Sequence, residues 1–208
     1  MLEKYTTILE DVEGGIVEKR SRFIANVFHV ETEEEAKIKL NEIKKKYFDA
    51  KHHVYAYRIF GGTVIEKFSD DGEPAQTAGK PIIDLIKKKD IYNILIVVTR
   101  YFGGILLGTG GLTRAYTQAA NVCIENSTIE EMVYSAIMDL AINYEQLDVI
   151  KHYCNSSKLK IFKIEYLDKI LIQICVDKNQ YDKVKEDINN ILAGKVEFKG
   201  VYYKYVKK

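Results

Sequence analysis

The chain has 208 residues, 47% hydrophobic and 29% charged, which is ordinary globular composition and enough length for two small cores. Fifteen Tyr and 8 Phe against 2 Pro, with no low-complexity tract, argue against disorder. A net charge of +1 excludes a bulk polycation, so contact with nucleic acid has to come from a local basic patch.

In chain order, residues 5–13 read as a strand, Gly14-Gly15 as a turn and residues 16–30 as one long strand carrying Phe23, Ala25, Val27 and Phe28. A helix opens at Glu31-Thr32. Its first turn is acidic, Lys44, Lys45 and Lys46 complement its C-terminus, and Ala36, Leu40, Ile43 and Tyr47 recur at helical spacing. Residues 53–60 and 63–68 form a hairpin through Gly61-Gly62, with Val54, Ala56, Arg58 and Phe60 on one face. A loop over 69–81 leads to a helix over 82–88. Residues 91–102 are the most apolar strand, central and buried on both faces. A glycine-rich turn then opens a helix over 112–126, whose small residues suit close packing on a sheet.

From about Ile129 the pattern restarts: strand 132–142, helix 144–156, strands 159–166 and 169–176, helix 178–192, strand 196–206. The order β-α-β-β-α-β is that of a ferredoxin-like domain. Strand alternation there offers Tyr202, Tyr203 and Tyr205 for an outward docking surface, or as cover for the core.

Three constellations carry chemical information. Ser69-Asp70-Asp71-Gly72-Glu73-Pro74, followed by Thr77, sets three carboxylates within four positions. Such crowding suits cation binding, a basic partner or acid–base work, and equally a turn in which Ser69 or Asp70 caps a helix. The stretch from Arg100 through Gly103, Gly104, Gly108, Gly110 and Gly111 to Arg114 lines backbone N–H groups up for an anion, or lets a helix pack tightly. It is neither a Walker A loop nor a dinucleotide fingerprint. His52 and His53 fall on opposite faces of a strand, so at most one, taken as His53, joins Arg58 and the acidic loop. No catalytic motif is recognised, and a Ser69–His pair has no support in spacing.

Cys123, Cys154 and Cys175 are odd in number and lack a CxxC pair; they read as small apolar residues rather than a disulfide or zinc framework. No metal and no cofactor are expected. No apolar run reaches transmembrane length and Met1-Leu2-Glu3-Lys4 opens no signal peptide, so a reducing cytoplasm and no membrane partner are expected. Lysines cluster again at Lys87, Lys88 and Lys89 and at Lys204, Lys207 and Lys208, as solvated ends or as part of a basic patch.

Gly79-Lys80-Pro81-Ile82-Ile83, Ile86 and Ile91, then Val97-Val98-Thr99-Arg100-Tyr101-Phe102-Gly103-Gly104 and Gly108, resemble the signature of the YigZ/IMPACT family. The Ser69–Pro74 run, Thr77-Ala78-Gly79 and Lys19-Arg20-Ser21-Arg22-Phe23 fit it too, so the resemblance spans the first 125 or so residues. The second half resembles the ferredoxin-like C-terminal domain of bacterial members. The resemblance implies an α+β protein: a ribosomal protein S5 domain 2-like domain over 1–130 and a ferredoxin-like domain over 131–208, similar to the last domains of elongation factor G. It also implies work with the translation machinery, since the eukaryotic relative regulates translation through a stress-kinase pathway. That relative has an extra N-terminal partner-binding domain with no counterpart in this sequence.

Two functional expectations follow. One is a translation-associated regulator that binds RNA, the ribosome or a translation factor, with Arg20, Arg22, Arg58, Arg100 and Arg114 as nucleic-acid contacts. The other is an enzyme or small-anion-binding protein with a pocket of His53, Arg58, Ser69, Asp70, Asp71, Glu73, Thr77, Arg100, Gly103, Gly104, Gly108, Gly110, Gly111 and Arg114. Oligomeric state is not legible in the sequence.

Overall fold

A computed structural model describes residues 2–208. The chain divides into two compact units, Met1–Glu131 and Met132–Lys208.

In the first unit the elements are β1 (Lys4–Ile8), β2 (Val12–Glu18), β3 (Ser21–His29), α1 (Glu33–Lys46), β4 (His52–Phe60), β5 (Val64–Ser69), α2 (Gly79–Lys88), β6 (Ile94–Tyr101) and α3 (Gly108–Glu125). Five strands make an antiparallel sheet in the order β2-β3-β6-β4-β5. The apolar run of β6 is explained by its central place. Ile94, Ile96 and Val98 pack with Ile82, Ile86, Leu112, Tyr116 and Ala119 of α2 and α3. The alternate residues Leu95 and Val97 pack with Ala36 and Ile43 of α1 on the other face. α1 starts at Thr32, whose side chain accepts a bond from the Glu35 N–H at 3.1 Å.

Two local expectations are corrected. Gly14-Gly15 is not a turn: both residues lie inside β2, paired with Ala25 and Ile24 of β3. A Cβ on Gly15 would sit 2.2 Å from the Phe23 carbonyl oxygen, and one on Gly14 would face α3 at Cys123, so these glycines permit close approach of backbone. The expected long strand over 16–30 is instead broken by a two-residue hairpin. Lys19 and Arg20 adopt φ of +43° and +64°, the sign a type I′ turn needs at both central residues, without a glycine to announce it.

The second unit holds β7 (Ile129–Ile142) from Met132 onward, α4 (Leu147–Ser156), β8 (Lys160–Tyr166), β9 (Ile170–Asp177), α5 (Tyr181–Ile191) and β10 (Glu197–Lys207), each helix entered through a 3₁₀ turn. Its own strands run β10-β7-β9-β8, all antiparallel, the ferredoxin-like arrangement. Met138, Leu140, Ile172, Ile174 and Val176 pack one sheet face against Ile150, Cys154, Val184 and Ile188 of the helices. No helix among the described residues is long and apolar enough to cross a membrane.

Candidate functional site

The acidic loop is built around three carboxylates with separate tasks. Asp70 sits at the start of the loop after β5. Its Oδ1 accepts the N–H groups of Ala78 and Gly79 at 3.0 and 2.8 Å, and its Oδ2 accepts that of Gln76 at 2.8 Å. It thereby satisfies the first donors of α2, whose N-cap Ala78 has no side chain to do so. Asp71, at φ +43°, turns its Oδ2 onto the His53 N–H at 2.7 Å and meets Lys44 Nζ at 3.5 Å. Its carbonyl oxygen lies 2.9 Å from His52 Nδ1. Ser69 accepts the Asp71 N–H at 3.2 Å and Thr77 donates to the Pro74 carbonyl at 2.6 Å, which closes the loop on itself.

Glu73 turns inward and is only 9% exposed. Its Oε1 accepts from Arg100 Nη1 at 2.6 Å and from the Tyr116 hydroxyl at 2.7 Å. Arg100 belongs to the β6 face that meets α2 and α3, and is 7% exposed. Its guanidinium stands 5.5 Å from the Phe23 ring centroid and 5.4 Å from that of Phe102. Tyr116 meets the Phe23 ring edge-on at 5.0 Å. Burial, then the charge of Glu73, pushes the Tyr116 hydroxyl far above its ordinary pKa, so it stays a neutral donor. One buried charge-assisted triad therefore ties the acidic loop to the central strand and to α3.

The glycine-rich segment starts its helix a turn earlier than the sequence suggests. α3 begins at Gly108, so Gly110 and Gly111 are first-turn residues rather than loop. This N-terminus has no side-chain cap and no acidic residue in its first turn. Gly103 is a packing requirement: a Cβ there would fall 2.1 Å from the Arg20 carbonyl carbon, and its N–H donates to Ser21 Oγ at 3.1 Å. Gly104 and Gly108 take φ of +83° and +72° in open space.

The expected pocket residues thus separate into clusters. Glu73 and Arg100 meet, joined by Tyr116, which sequence reasoning missed; Tyr116 lies one helical turn from Leu112 and from Ala120 on the core side of α3, and nothing local distinguishes it from a packing tyrosine. His53 faces α1, with Nε2 3.0 Å from the Tyr47 carbonyl, and joins only Asp71. Arg58 lies elsewhere. It is stacked over Tyr92 at 3.8 Å, donates to Tyr92 and Asp90 at 2.9 and 3.1 Å, and meets Glu66 at 3.2 Å. Of the five arginines proposed for nucleic acid, Arg20, Arg22 and Arg114 are exposed, whereas Arg58 and Arg100 are engaged internally. Among the described residues no group of three or more His, Cys, Asp or Glu is placed to hold a metal.

Residues 19–124 match the Impact N-terminal domain and residues 140–195 match a domain of unknown function (DUF1949). The IMPACT family member YvyE of Bacillus subtilis is 34% identical over 208 residues, covering 100% of this chain and 96% of that protein. The IMPACT family member YigZ of Escherichia coli is 33% identical over 172 residues, covering 82% of this chain and 81% of its own. A crystal structure of a hypothetical protein superposes with a TM-score of 0.65 at 29% identity, covering 95% of this chain and 97% of that one. The α+β architecture and both halves of the sequence agree with these relatives: the chain belongs to the IMPACT family.

Proposed function

We propose that this chain is a translation-associated regulator that acts by binding RNA, the ribosome or a translation factor, rather than by catalysing a reaction. The observation that carries this is the state of the acidic motif. Each of its carboxylates already has an internal partner: Asp70 the start of α2, Asp71 the His53 backbone, Glu73 the Arg100–Tyr116 pair. A general acid or base needs a proton-accepting atom turned to a substrate, and these are turned to the protein. Family membership supports the translational assignment through the resemblance that introduced it. Exposed Arg20, Arg22 and Arg114 supply cations for phosphate. The test is cosedimentation with ribosomes over a salt series. Binding that weakens steeply with salt is expected; no binding at low salt overturns the proposal.

A second reading rests on the uncapped start of α3, where the N–H groups of Gly108, Thr109 and Gly110 have no acceptor within the helix and lie beside the exposed Arg114. It makes the chain a small-anion-binding protein or an enzyme on such a ligand. Titration with inorganic phosphate, followed by amide shifts of Thr109 to Arg114, separates the two: shifts lost in Arg114→Gln favour this reading, and no shifts remove it.

A further inference from the structure

The helices of the second unit cover one face of its sheet, and α4 and α5 contribute nothing to the other. On that other face the register sets Tyr202 of β10 beside Ile137 of β7, Ile137 beside Cys175 of β9, and Cys175 beside Lys160 of β8. Phe162 is the extra residue of a bulge in β8 between Ile161 and Lys163, a device that re-aims a side chain. Lys204, two residues beyond Tyr202 and so on the same face, reaches across this row. Its ammonium stands 3.8 Å from the Phe162 ring centroid and 5.7 Å from that of Tyr202. Ile137 beneath them is fully buried, while Phe162 remains 44% and Tyr202 38% exposed. Two open rings are thus fixed on a rigid sheet on either side of a cation.

We propose that this face binds single-stranded RNA, with bases stacked on Phe162 and Tyr202 and phosphates taken by Lys204 and Lys160. The assignment rests on the translational reading above and names its ligand class. An aromatic ring fixed on a sheet accepts any base whose π-face is free, which single strands offer and duplexes do not. Lys204 can leave the ring faces for a phosphate because its charge rides on a flexible four-carbon stem. Charge places the strand. Among the described residues Lys160 and Lys204 have no ion-pair partner, and Asp177, across Ser135 from Lys204, is the acidic group at this end of the face. The opposite end neutralises itself through Lys163–Glu165 and Lys199–Glu197, with Asp139 between them in the sheet. An acidic protein would match the ammonium groups; the paired open rings favour a nucleic acid.

The experiment uses the full chain with a fluorescein-labelled single-stranded RNA of about 12 nucleotides, within the range a stacking surface covers. Anisotropy is read at low and moderate salt, with ribosome cosedimentation in parallel. Phe162→Ala/Tyr202→Ala is expected to lower affinity for the oligonucleotide about tenfold or more. Lys204→Gln should weaken binding and reduce the salt slope by about one. Tyr166→Ala, an exposed tyrosine at the end of β8, should leave binding unchanged, and a duplex should compete poorly. If the wild-type chain binds RNA or ribosomes and both face variants bind equally well, the face assignment is overturned while the translational reading stands. If the variants lose ribosomes but the wild-type chain never binds the oligonucleotide, the face meets protein and the assignment is overturned. If the wild-type chain binds neither, both readings fail. Lys204→Gln, a surface change, carries the test should the double variant not fold.

Discussion

The loop over 69–81 and the open sheet face of the second unit are opposites. The loop is dense in motif and its polar atoms turn inward. The sheet face has no motif and carries two part-exposed aromatic rings and two lysines that have no ion-pair partner among the described residues. The contrast shows that a concentration of charged residues and glycine can be an architectural device. A surface for a sequence-tolerant ligand needs only rings and cations at the right register, and leaves little trace in local sequence.

Substitutions sharpen or break this contrast. The largest effect is expected at Arg100. Arg100→Ala leaves Glu73 buried without its cation and should cost about 3–5 kcal/mol in urea unfolding. The paired change Arg100→Met/Glu73→Leu should recover most of it, because the cost belongs to the uncompensated charge. If Arg100→Ala instead stays near wild-type stability, the triad is not structural and a functional role for the motif regains ground.

Gly103→Ala comes next, at about 1–3 kcal/mol, because the backbone at Arg20 has to move. Asp70→Ala should cost about 1–2 kcal/mol as the start of α2 loses its acceptor, and Asp70→Asn should restore part of it. Phe162→Ala/Tyr202→Ala should cost less than about 1 kcal/mol, as expected of exposed rings on the two outer strands of the sheet. A loss as large as that at Arg100 would make the sheet face a core element rather than a surface.

The smallest effect is a pH dependence at Glu197. Hydrogen bonds from Lys169 first and Lys199 next lower its pKa from 4.5 to about 2. A carboxylate depressed in the folded state adds stability that is present above 4.5 and is lost as pH falls towards 2. Full exposure keeps this small and salt-sensitive. Glu197→Gln should slightly flatten the acid limb of melting temperature against pH, and the difference should vanish in high salt.

Much of the fold was legible. β6 announced itself as a two-sided central strand through an unbroken apolar run, and the second unit declared β-α-β-β-α-β by its alternating periods. The hairpin at Lys19-Arg20 was not legible, because the turn was expected at Gly14-Gly15, where glycine is present for close approach instead. The candidate site was legible as a list and not as an arrangement. Glu73 and Arg100 stood out separately, but neither their pairing nor the Tyr116 hydroxyl between strand and helix follows from spacing, since the residues are 27 and 43 positions apart along the chain.

By itself the sequence determined the period of each element, the turn-prone segments, the division into two halves and the family, all of which depend on residues near one another in the chain. Only the tertiary structure decided which way each polar side chain faces. It turned Asp70, Asp71, Glu73 and Arg100 onto protein partners, and it brought Phe162, Tyr202 and Lys204 together across four strands. Strand order and register set those meetings, and they are fixed by long-range pairing and shared burial, which no local pattern encodes.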